Sequence, residues 1–367
     1  MSTASRSGLN DPRLAGVAAW AALALAIWVI GAGVPAWVRV ALIALVPLAW
    51  IGWRSLRATQ ARDAAARQLA SLLPEDGAGA TTAATQPWYL LIGAPGVGKS
   101  TLLAQSGLQF RGDAPATALP GTGGTRGCDW WVAEEAVLID TAGRLTMQDS
   151  DKKADAAAWL EFLGTLKGLR PNAPLNGVFV TVSASDLMLW SKKERERYAG
   201  HVRMRLGELH AALMQRPPVY VLVTKCDLMA GFSDFFAGLD ETARAQVWGT
   251  TFAHGEEPEP EAIEARCNRA CAELERTLVA EMLDRLNDVD EAAQRGAIFR
   301  FPQQFHALQP LLVEFLRTAF NLRVDHQCPL LRGVYFTSGT QAGSPIDRVM
   351  SAVARGFGLA RAGVAMP

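Results

Sequence analysis

The segment GAPGVGKS, from Gly93 to Ser100, places three glycines around a lysine–serine pair. Closely spaced glycines let backbone amides wrap around phosphate oxygens, because no Cβ blocks the approach. Lys99 can reach β- and γ-phosphates, and the Ser100 hydroxyl suits Mg²⁺. An apolar strand pattern precedes the segment and a helical pattern follows it, so we predict a P-loop that binds a nucleoside triphosphate. The residues expected to contact the phosphates are Gly93, Ala94, Pro95, Gly96, Val97, Gly98, Lys99, Ser100 and Thr101.

A second motif is VLIDTAG, at positions 137–143. Asp140 closes an apolar strand and is expected beside the Mg²⁺, while Gly143 would let an amide approach the γ-phosphate. In many GTPases a glutamine directly after this motif positions the attacking water, but Arg144 stands there. Gln148 is close enough to replace that glutamine, and Arg144 could stabilise transition-state charge. The alternative for Arg144 is an ion-paired surface arginine, so we expect slow hydrolysis.

The stretch PGTGGTRGCDWW, positions 120–131, lies between these two motifs. A threonine here would complete the Mg²⁺ coordination and sense the γ-phosphate. Similarity to the PGTTR stretch of Era-like GTPases favours Thr125 over Thr122 for this role. Arg126 is a second candidate for stabilising the transition state, with the same ion-paired alternative. The many glycines favour a mobile switch segment.

A third motif, VYVLVTKCDL, ends a strand with Thr224, Lys225 and Asp227. In GTPases this pattern recognises guanine, because the carboxylate accepts hydrogen bonds from N1 and N2 of the base. Adenine has an acceptor at N1 and no N2 amine, so it would leave the carboxylate unsatisfied. Ser338, in the run YFTSG, is predicted to contribute to the base-binding loop. The predicted ligands are therefore GTP, with ATP as the alternative, and Mg²⁺ held by Ser100, Thr125 and Asp140.

From residue 87 onwards, strand-like runs alternate with helical patterns, which predicts an α/β fold with a mostly parallel sheet flanked by helices. A short spacing between Trp130 and Val137 predicts an antiparallel hairpin, and hence a mixed sheet of the Ras/Era-like P-loop NTPase class. A helix-rich stretch between two late strands predicts a helical insertion or subdomain. Predicted strands cover 88–93, 129–132, 137–140, 177–182, 219–224 and 333–337. Predicted helices cover 99–105, 155–169, 192–214, 261–287, 302–320 and 345–357.

The N-terminal region carries two long apolar stretches. Positions 14–34 contain no charged residue, and a helix of that length would span about 30 Å of hydrocarbon. Positions 36–53 are interrupted by Arg39 and Pro47, which a membrane helix tolerates. Arginines before the first stretch and after the second predict a two-helix transmembrane hairpin with both ends in the cytoplasm. A cleaved signal peptide is the alternative, but its apolar part would be shorter.

These patterns predict six regions along the chain. They are a cytoplasmic N-terminus (1–13), a transmembrane hairpin (14–53), a juxtamembrane helix and linker (54–86), a P-loop GTPase-like core (87–232), a helical insertion (233–322), and the final strand and helix of the core (323–367). The chain has 36 basic and 36 acidic residues, so no overall basic field indicates nucleic acid as a partner.

Five blocks in order closely resemble the IcmF/TssM family of bacterial secretion-system components. The blocks are PWYLLIGAPGVGKSTLL, GTRGCDWWVAEEAVLIDTAGR, GVFVTVSASDL, VYVLVTKCDLMAGF and LLRGVYFTSGTQ. The resemblance covers essentially the whole chain, including the N-terminal hairpin. It implies an inner-membrane anchor subunit of a type VI secretion system, with its globular domain in the cytoplasm.

The resemblance also implies partners. These are a TssL-like inner-membrane protein, cytoplasmic baseplate proteins, membrane lipid, and further copies of the same subunit. Family members usually continue through a third transmembrane helix into a periplasmic part, whereas this chain stops at Pro367. The resemblance therefore implies either the N-terminal portion of a longer or split protein, or a protein that does not bridge the periplasm.

Three functions follow from these expectations. The first is a membrane-anchored switch that binds GTP and hydrolyses it slowly during assembly of the secretion complex. The second is a structural scaffold in which bound nucleotide completes the fold without a need for hydrolysis. The third is an ATPase that energises secretion. The P-loop is not kept by every family member, and ATP has been considered as a ligand in this family, so the base remains open at this point.

Overall fold

The computed structural model describes residues 86–110, 128–149, 151–244, 246–253, 260–320 and 329–338, with isolated positions between 28 and 48. The chain divides into two compact units, Met1–Asp63 and Ala64–Pro367. None of the helices among the described residues combines the length and apolar character needed to cross a membrane. Most of the predicted transmembrane hairpin and all of the predicted helix 345–357 lie outside the described residues. The predicted region boundaries stay predictions.

A mixed, mostly parallel sheet forms the centre of the second unit. Seven described strands are hydrogen-bonded in the order β2-β3-β1-β4-β5-β7-β6. Strands β3, β1, β4, β5 and β7 are parallel to their neighbours, while β2 and β6 run antiparallel at the two edges. This confirms the predicted α/β class. The strands are β1 (Trp88–Gly93), β2 (Cys128–Val132), β3 (Val137–Thr141), β4 (Gly177–Ser183), β5 (Pro218–Thr224), β6 (Gly249–Thr251) and β7 (Leu330–Phe336).

Helices connect and cover these strands. They are α1 (Lys99–Ala104), α2 (Gly143–Met147), α3 (Lys152–Leu169), α4 (Ala184–Leu189), α5 (Lys192–Leu213), α6 (Phe232–Phe236), α7 (Glu241–Arg244), α8 (Pro260–Asn287) and α9 (Ala292–Ala319). A capping box holds the start of α5, where Ser191 and Glu194 exchange hydrogen bonds between side chain and backbone. The long helices α8 and α9 pack against each other and form what we call the helical hairpin.

The predicted β-hairpin between β2 and β3 is confirmed. Val132 pairs with Val137 at the turn, and Asp129 pairs with Asp140 further along the two strands. The six predicted strands are all present, within two or three residues of their predicted ends. The pattern missed β6, which has three residues and pairs with β7 only, because so short a strand shows no alternation.

One predicted helix start was wrong. The sequence predicted a helix over 302–320, which would place a proline in its first turn, where proline is favoured. The structure instead has α9 beginning at Ala292 and continuing through Pro302 and Pro310. A proline inside a helix removes one backbone hydrogen bond, and here the apolar stripe of α9 offsets that loss by packing into the core. The short helices α2 and α4 were also missed, since each is a single turn or two after a strand.

The main core lies between one face of the sheet and the helices α3, α5 and α9. Central strand residues such as Val180 and Val221 are fully buried there, together with Trp159, Tyr198 and Phe305. A second, smaller cluster lies under α1 and joins Leu91, Leu103, Trp131 and Leu138. The candidate site lies at the carboxyl edge of the parallel strands, and these two clusters pack the sheet that carries it.

Candidate functional site

The carboxyl ends of four neighbouring parallel strands carry most of the residues that the sequence singled out. The glycine-rich loop, residues 93–100, follows β1, and Asp140 lies at the end of β3. Thr224 ends β5, and β4 ends between them at Ser183. Adjacent parallel strands present their carboxyl ends at one edge, where open α/β sheets bind ligands. The fold therefore brings these motifs together.

The glycine-rich loop turns sharply before α1. Gly96 has a φ of 71° and Gly98 a φ of 95°, values in the left-handed region that favours glycine. Gly98 is the N-cap of α1, so the amides of Lys99 and Ser100 have no acceptor within their own helix. The loop thus exposes backbone donors at its helical end, as a site for an anion requires.

Lys99 is buried and directed back onto the loop. Its Nζ donates to the carbonyl oxygens of Gly93 at 3.2 Å and Ala94 at 3.3 Å. Burial lowers the pKa of this amine, and the nearby Asp140 carboxylate partly opposes that shift. The ammonium group therefore sits in the concave side of the loop, where the sequence predicted phosphate contacts.

Ser100 and Asp140, two of the three residues predicted to bind Mg²⁺, are hydrogen-bonded to each other. The Ser100 hydroxyl donates to Asp140 Oδ2 at 2.5 Å. The other carboxylate oxygen, Asp140 Oδ1, is buried and accepts no hydrogen bond from the residues that the structure describes. Burial raises the pKa of Asp140, while the Ser100 hydrogen bond and the Lys99 charge lower it. Thr125, the third predicted ligand, lies outside the described residues.

Asp129 is a second acidic residue that lies beside Asp140, and the sequence analysis did not identify it. It stands directly opposite Asp140 in the antiparallel register of β2 and β3, so both side chains project from the same face. Its pKa is raised by burial and by the Asp140 charge. The signal was available in the sequence, because the predicted hairpin turn sets that register.

Gly143 lies against the backbone of the glycine-rich loop. A Cβ at this position would be 2.2 Å from the backbone nitrogen of Pro95 and 2.6 Å from the carbonyl carbon of Ala94, so only glycine fits. One turn later, the Thr146 hydroxyl accepts a hydrogen bond from the Gly93 amide at 3.1 Å. The segment after β3 is therefore fitted closely to the loop, and Thr146 was not predicted.

The two catalytic candidates on this segment have different surroundings. Arg144 forms an ion pair with the buried Asp155 on α3, which agrees with the structural alternative for that arginine. Gln148 ends α2 with a φ of 51° and a buried side chain. Its Nε2 has no acceptor among the described residues.

The residues predicted to bind the base lie at or just after the ends of β5 and β7, and one of them contacts the glycine-rich loop. The Thr224 hydroxyl donates to the carbonyl of Val97 at 2.5 Å, which ties the end of β5 to the glycine-rich loop. Lys225 follows with a φ of 57°. Asp227 Oδ1 accepts a hydrogen bond of 2.6 Å from the Ser338 hydroxyl, so the end of β7 reaches the same position. The structure thus brings Ser338 and Asp227 together, and their predicted role in base binding stays a prediction.

Asp186 lies close to Lys225, and the sequence interpretation missed it as well. It belongs to the segment after β4, where Ser183 caps α4 by accepting from the Asp186 amide. Burial raises the pKa of Asp186, while the Lys225 charge and the Ser183 hydrogen bond lower it. The Asp186 carboxylate therefore helps to neutralise the lysine of the Thr-Lys-x-Asp motif.

The fold and the site define an α/β protein with one candidate ligand edge, lined by a glycine-rich loop, two acidic residues and a Thr-Lys-x-Asp strand end. Comparison with known proteins is more specific. Residues 152–366 match the family model described as the IcmF-related N-terminal domain. The chain belongs to the IcmF/TssM family, which confirms the resemblance read from the sequence.

The curated relative that matches is the type VI secretion system component TssM1 of Pseudomonas aeruginosa. It is 48% identical over 277 residues, which cover 75% of this chain and 25% of the relative. The chain thus spans about a quarter of the length of that relative. No solved structure matches the chain.

Proposed function

We propose that this chain is an inner-membrane component of a type VI secretion system whose cytoplasmic domain binds GTP with Mg²⁺ and hydrolyses it slowly. Family membership and the name of the relative support the secretion role. The nucleotide role is supported by the residues at the carboxyl edge of the sheet. In this proposal the glycine-rich loop is a P-loop, and the surrounding segments respond to the bound nucleotide.

One hydrogen bond carries the nucleotide proposal. The contact between the Thr224 hydroxyl and the Val97 carbonyl joins the phosphate motif to the base motif. A nucleotide with its phosphates in the glycine-rich loop would then have its base beside Asp227, which lies three residues after Thr224, the last residue of β5. This contact between two motifs that are far apart in the sequence supports the proposal of a single nucleotide site.

The oxygen ligands at Asp140 fit a magnesium ion. Mg²⁺ is usually held by one or two protein oxygens together with phosphates and water, rather than by a full protein cage. Ser100 and Asp140 supply a hydroxyl and a buried carboxylate oxygen that has no hydrogen-bond partner among the described residues. Thr125 is proposed as a further ligand. When bound, the ion would neutralise the charge of the phosphates and of the Asp140 carboxylate.

Guanine is the base that Asp227 would select. Its carboxylate can accept from N1 and N2 of guanine, whereas adenine offers no such donor pair. Ser338 donates to Oδ1 and so holds the carboxylate in place. ATP binding is the alternative, and equal affinity for both nucleotides would contradict the guanine proposal.

Slow hydrolysis follows from the surroundings of the catalytic candidates. Arg144 is ion-paired with Asp155, and Gln148 is buried in a left-handed backbone conformation. Neither is free to orient a water molecule without rearrangement. The Arg144–Asp155 ion pair also supports the alternative of a structural scaffold, in which bound nucleotide completes the fold without a need for hydrolysis.

The proposed partners follow from the family. A TssL-like membrane protein, baseplate proteins, lipid and further copies of the subunit would surround the cytoplasmic domain in the assembled complex. These partners are proposals for this chain, since it spans only part of its curated relative.

Nucleotide titration of the purified full chain tests the proposal. We expect fluorescent GDP and GTP analogues to bind with Mg²⁺, and ATP analogues to bind at least tenfold more weakly. Lys99→Ala should abolish binding, while Lys153→Ala, an exposed lysine on α3, should leave it unchanged. Asp227→Ala should remove the preference for guanine, and Asp284→Ala on α8 is its control. Lack of binding by the wild type would contradict the nucleotide proposal.

A further inference from the structure

Tyr198 on α5 has a hydroxyl that is fully buried against the glycine-rich loop. It accepts a hydrogen bond from the Ala94 amide at 3.2 Å and donates one to the Thr181 carbonyl on β4 at 2.6 Å. Burial raises the pKa of this hydroxyl, so it stays protonated and serves as both donor and acceptor. The first part of the loop is thus held by a side chain about one hundred residues away.

The ring of the same tyrosine packs against the helical hairpin. It stacks on Phe315 of α9, with ring centroids 5.5 Å apart and an angle of 19° between the planes. One turn earlier on α5, Arg195 forms a 2.9 Å ion pair with Glu314. Tyr198 therefore contacts the loop with one end and α9 with the other.

Helix α9 also lies behind the base-binding end of the site. Gly231, four residues after Asp227, lies so close to α9 that a Cβ would be 2.1 Å from the Ala297 carbonyl oxygen. The rings of Phe232 and Phe301 meet nearby, with centroids 5.5 Å apart. Since Ala297 and Phe315 lie near opposite ends of α9, one helix supports both ends of the site.

We infer that Tyr198 is a positioning residue of the proposed nucleotide site and links the phosphate-binding loop to helix α9. The inference rests on the proposed function. Phosphate in the loop would draw Lys99 from the carbonyls of Gly93 and Ala94, to which it now donates. The Gly93–Ala94 peptide, whose carbonyl oxygen accepts from Lys99 and whose N–H donates to Tyr198, would then shift and move the Tyr198 hydroxyl. Because the ring is fully buried and closely packed, its movement would be passed to Phe315.

Two variants separate the two ends of this link. Tyr198→Phe removes the hydroxyl and keeps the ring, while Phe315→Leu keeps the hydroxyl and removes the stacking. Tyr220→Phe is the matched control, because Tyr220 lies on the sheet face away from the main core. For each full-length variant we would measure GDP and GTP-analogue affinity, and the nucleotide-dependent change in hydrogen exchange of peptides covering 308–319.

We expect nucleotide to change exchange in 308–319 of the wild type and of Tyr220→Phe. Tyr198→Phe should bind about tenfold more weakly, since loss of the hydroxyl leaves the Ala94 amide unpaired. Tyr198→Phe and Phe315→Leu should both lose the exchange response in α9. If Tyr198 were only a core residue, Tyr198→Phe would melt at a lower temperature but keep wild-type affinity and response, which would overturn the inference. Wild-type binding without any response in α9 would overturn it too, whereas a wild type that binds no nucleotide contradicts the proposed function itself.

Discussion

At the scale of single residues, the site depends on hydroxyl groups as much as on charges. Ser100, Thr146, Tyr198 and Thr224 each bond to the glycine-rich loop or to its acidic neighbour. A hydroxyl can donate and accept without carrying charge, so it can hold a buried backbone group at little desolvation cost. The groups that hold the loop through these bonds are therefore uncharged.

Thr224→Val tests the bond between β5 and the loop. The valine keeps the shape but leaves the buried carbonyl of Val97 without its donor, a loss of about 1–2 kcal/mol for such a group. We expect nucleotide affinity to fall about tenfold in titrations of the full chain. Thr224→Ser keeps the hydroxyl and should bind within about twofold of the wild type. Equal affinity of the valine and serine variants would contradict the role given to this bond.

Asp129→Asn tests the pair of carboxyl groups. The folded-state pKa values of Asp129 and Asp140 are both raised, so the folded protein binds protons more readily than the unfolded chain there. This contribution to stability is greatest below the ordinary pKa of 3.8 and is lost as pH rises through the raised values. We therefore expect the variant to be more stable than the wild type at pH 7 without nucleotide, and equally stable near about pH 3.5.

Denaturant unfolding of the nucleotide-free chain across this pH range measures the difference. Asp284→Asn, at an exposed position on α8, is the control and should show no pH-dependent gain. Removing a negative charge beside the proposed metal position should also weaken Mg²⁺-dependent nucleotide binding several-fold. A variant less stable than the wild type at neutral pH would show that Asp129 has a stabilising partner instead.

At the scale of elements, α9 joins the helical hairpin to the sheet. The segment after the Thr-Lys-x-Asp motif packs on α9 through an aromatic cluster that includes Phe235, Phe236, Trp248 and Phe301. Arg285 of α8 covers this cluster, 4.4 Å from the centre of the Phe235 ring, and donates to the Phe235 carbonyl. The helical hairpin is therefore part of the same core as the sheet.

Gly231→Ala tests this packing. The residue has a φ of 85°, and its Cβ would collide with the Ala297 carbonyl oxygen. We expect a loss of about 2–4 kcal/mol in the free energy of unfolding, from backbone strain and displacement of α9. Gly238→Ala is the matched control, because nothing lies within 4 Å of its Cβ position. Both can be measured by denaturant unfolding followed by tryptophan fluorescence, and similar losses at the two positions would argue against a close fit at Gly231.

At the scale of the whole molecule, the membrane topology is the main prediction. The arginines that flank the two apolar stretches predict that both ends of residues 14–53 lie in the cytoplasm. Reporters fused before Met1 and after Trp53 should both report a cytoplasmic position in bacterial cells. Reversing the charge of the arginines that follow position 53 provides a control, since it should weaken this orientation. A reporter after Trp53 that is found outside the cytoplasm would contradict the predicted hairpin.

Much of the fold could be predicted because its signals are local. Apolar strands, a glycine-rich loop and a short hairpin turn are each encoded within about ten neighbouring residues. The start of α9 could not be predicted in the same way, because proline is favoured in the first turn of a helix and costs a hydrogen bond inside one, so Pro302 locally favoured a start there. Only the packing of its apolar face decides between the two positions.

The sequence by itself determined which chemical groups the site has. The glycine-rich loop, Asp140 and the Thr-Lys-x-Asp strand end were all identified from residue types and spacing, and so was the family. The tertiary structure decided which of these groups meet. The contact of Ser338 with Asp227, the pairing of Arg144 with Asp155 and the place of Tyr198 between loop and helix depend on residues far apart in the chain. Contacts of that kind arise from the packing of whole elements, and no local pattern carries them.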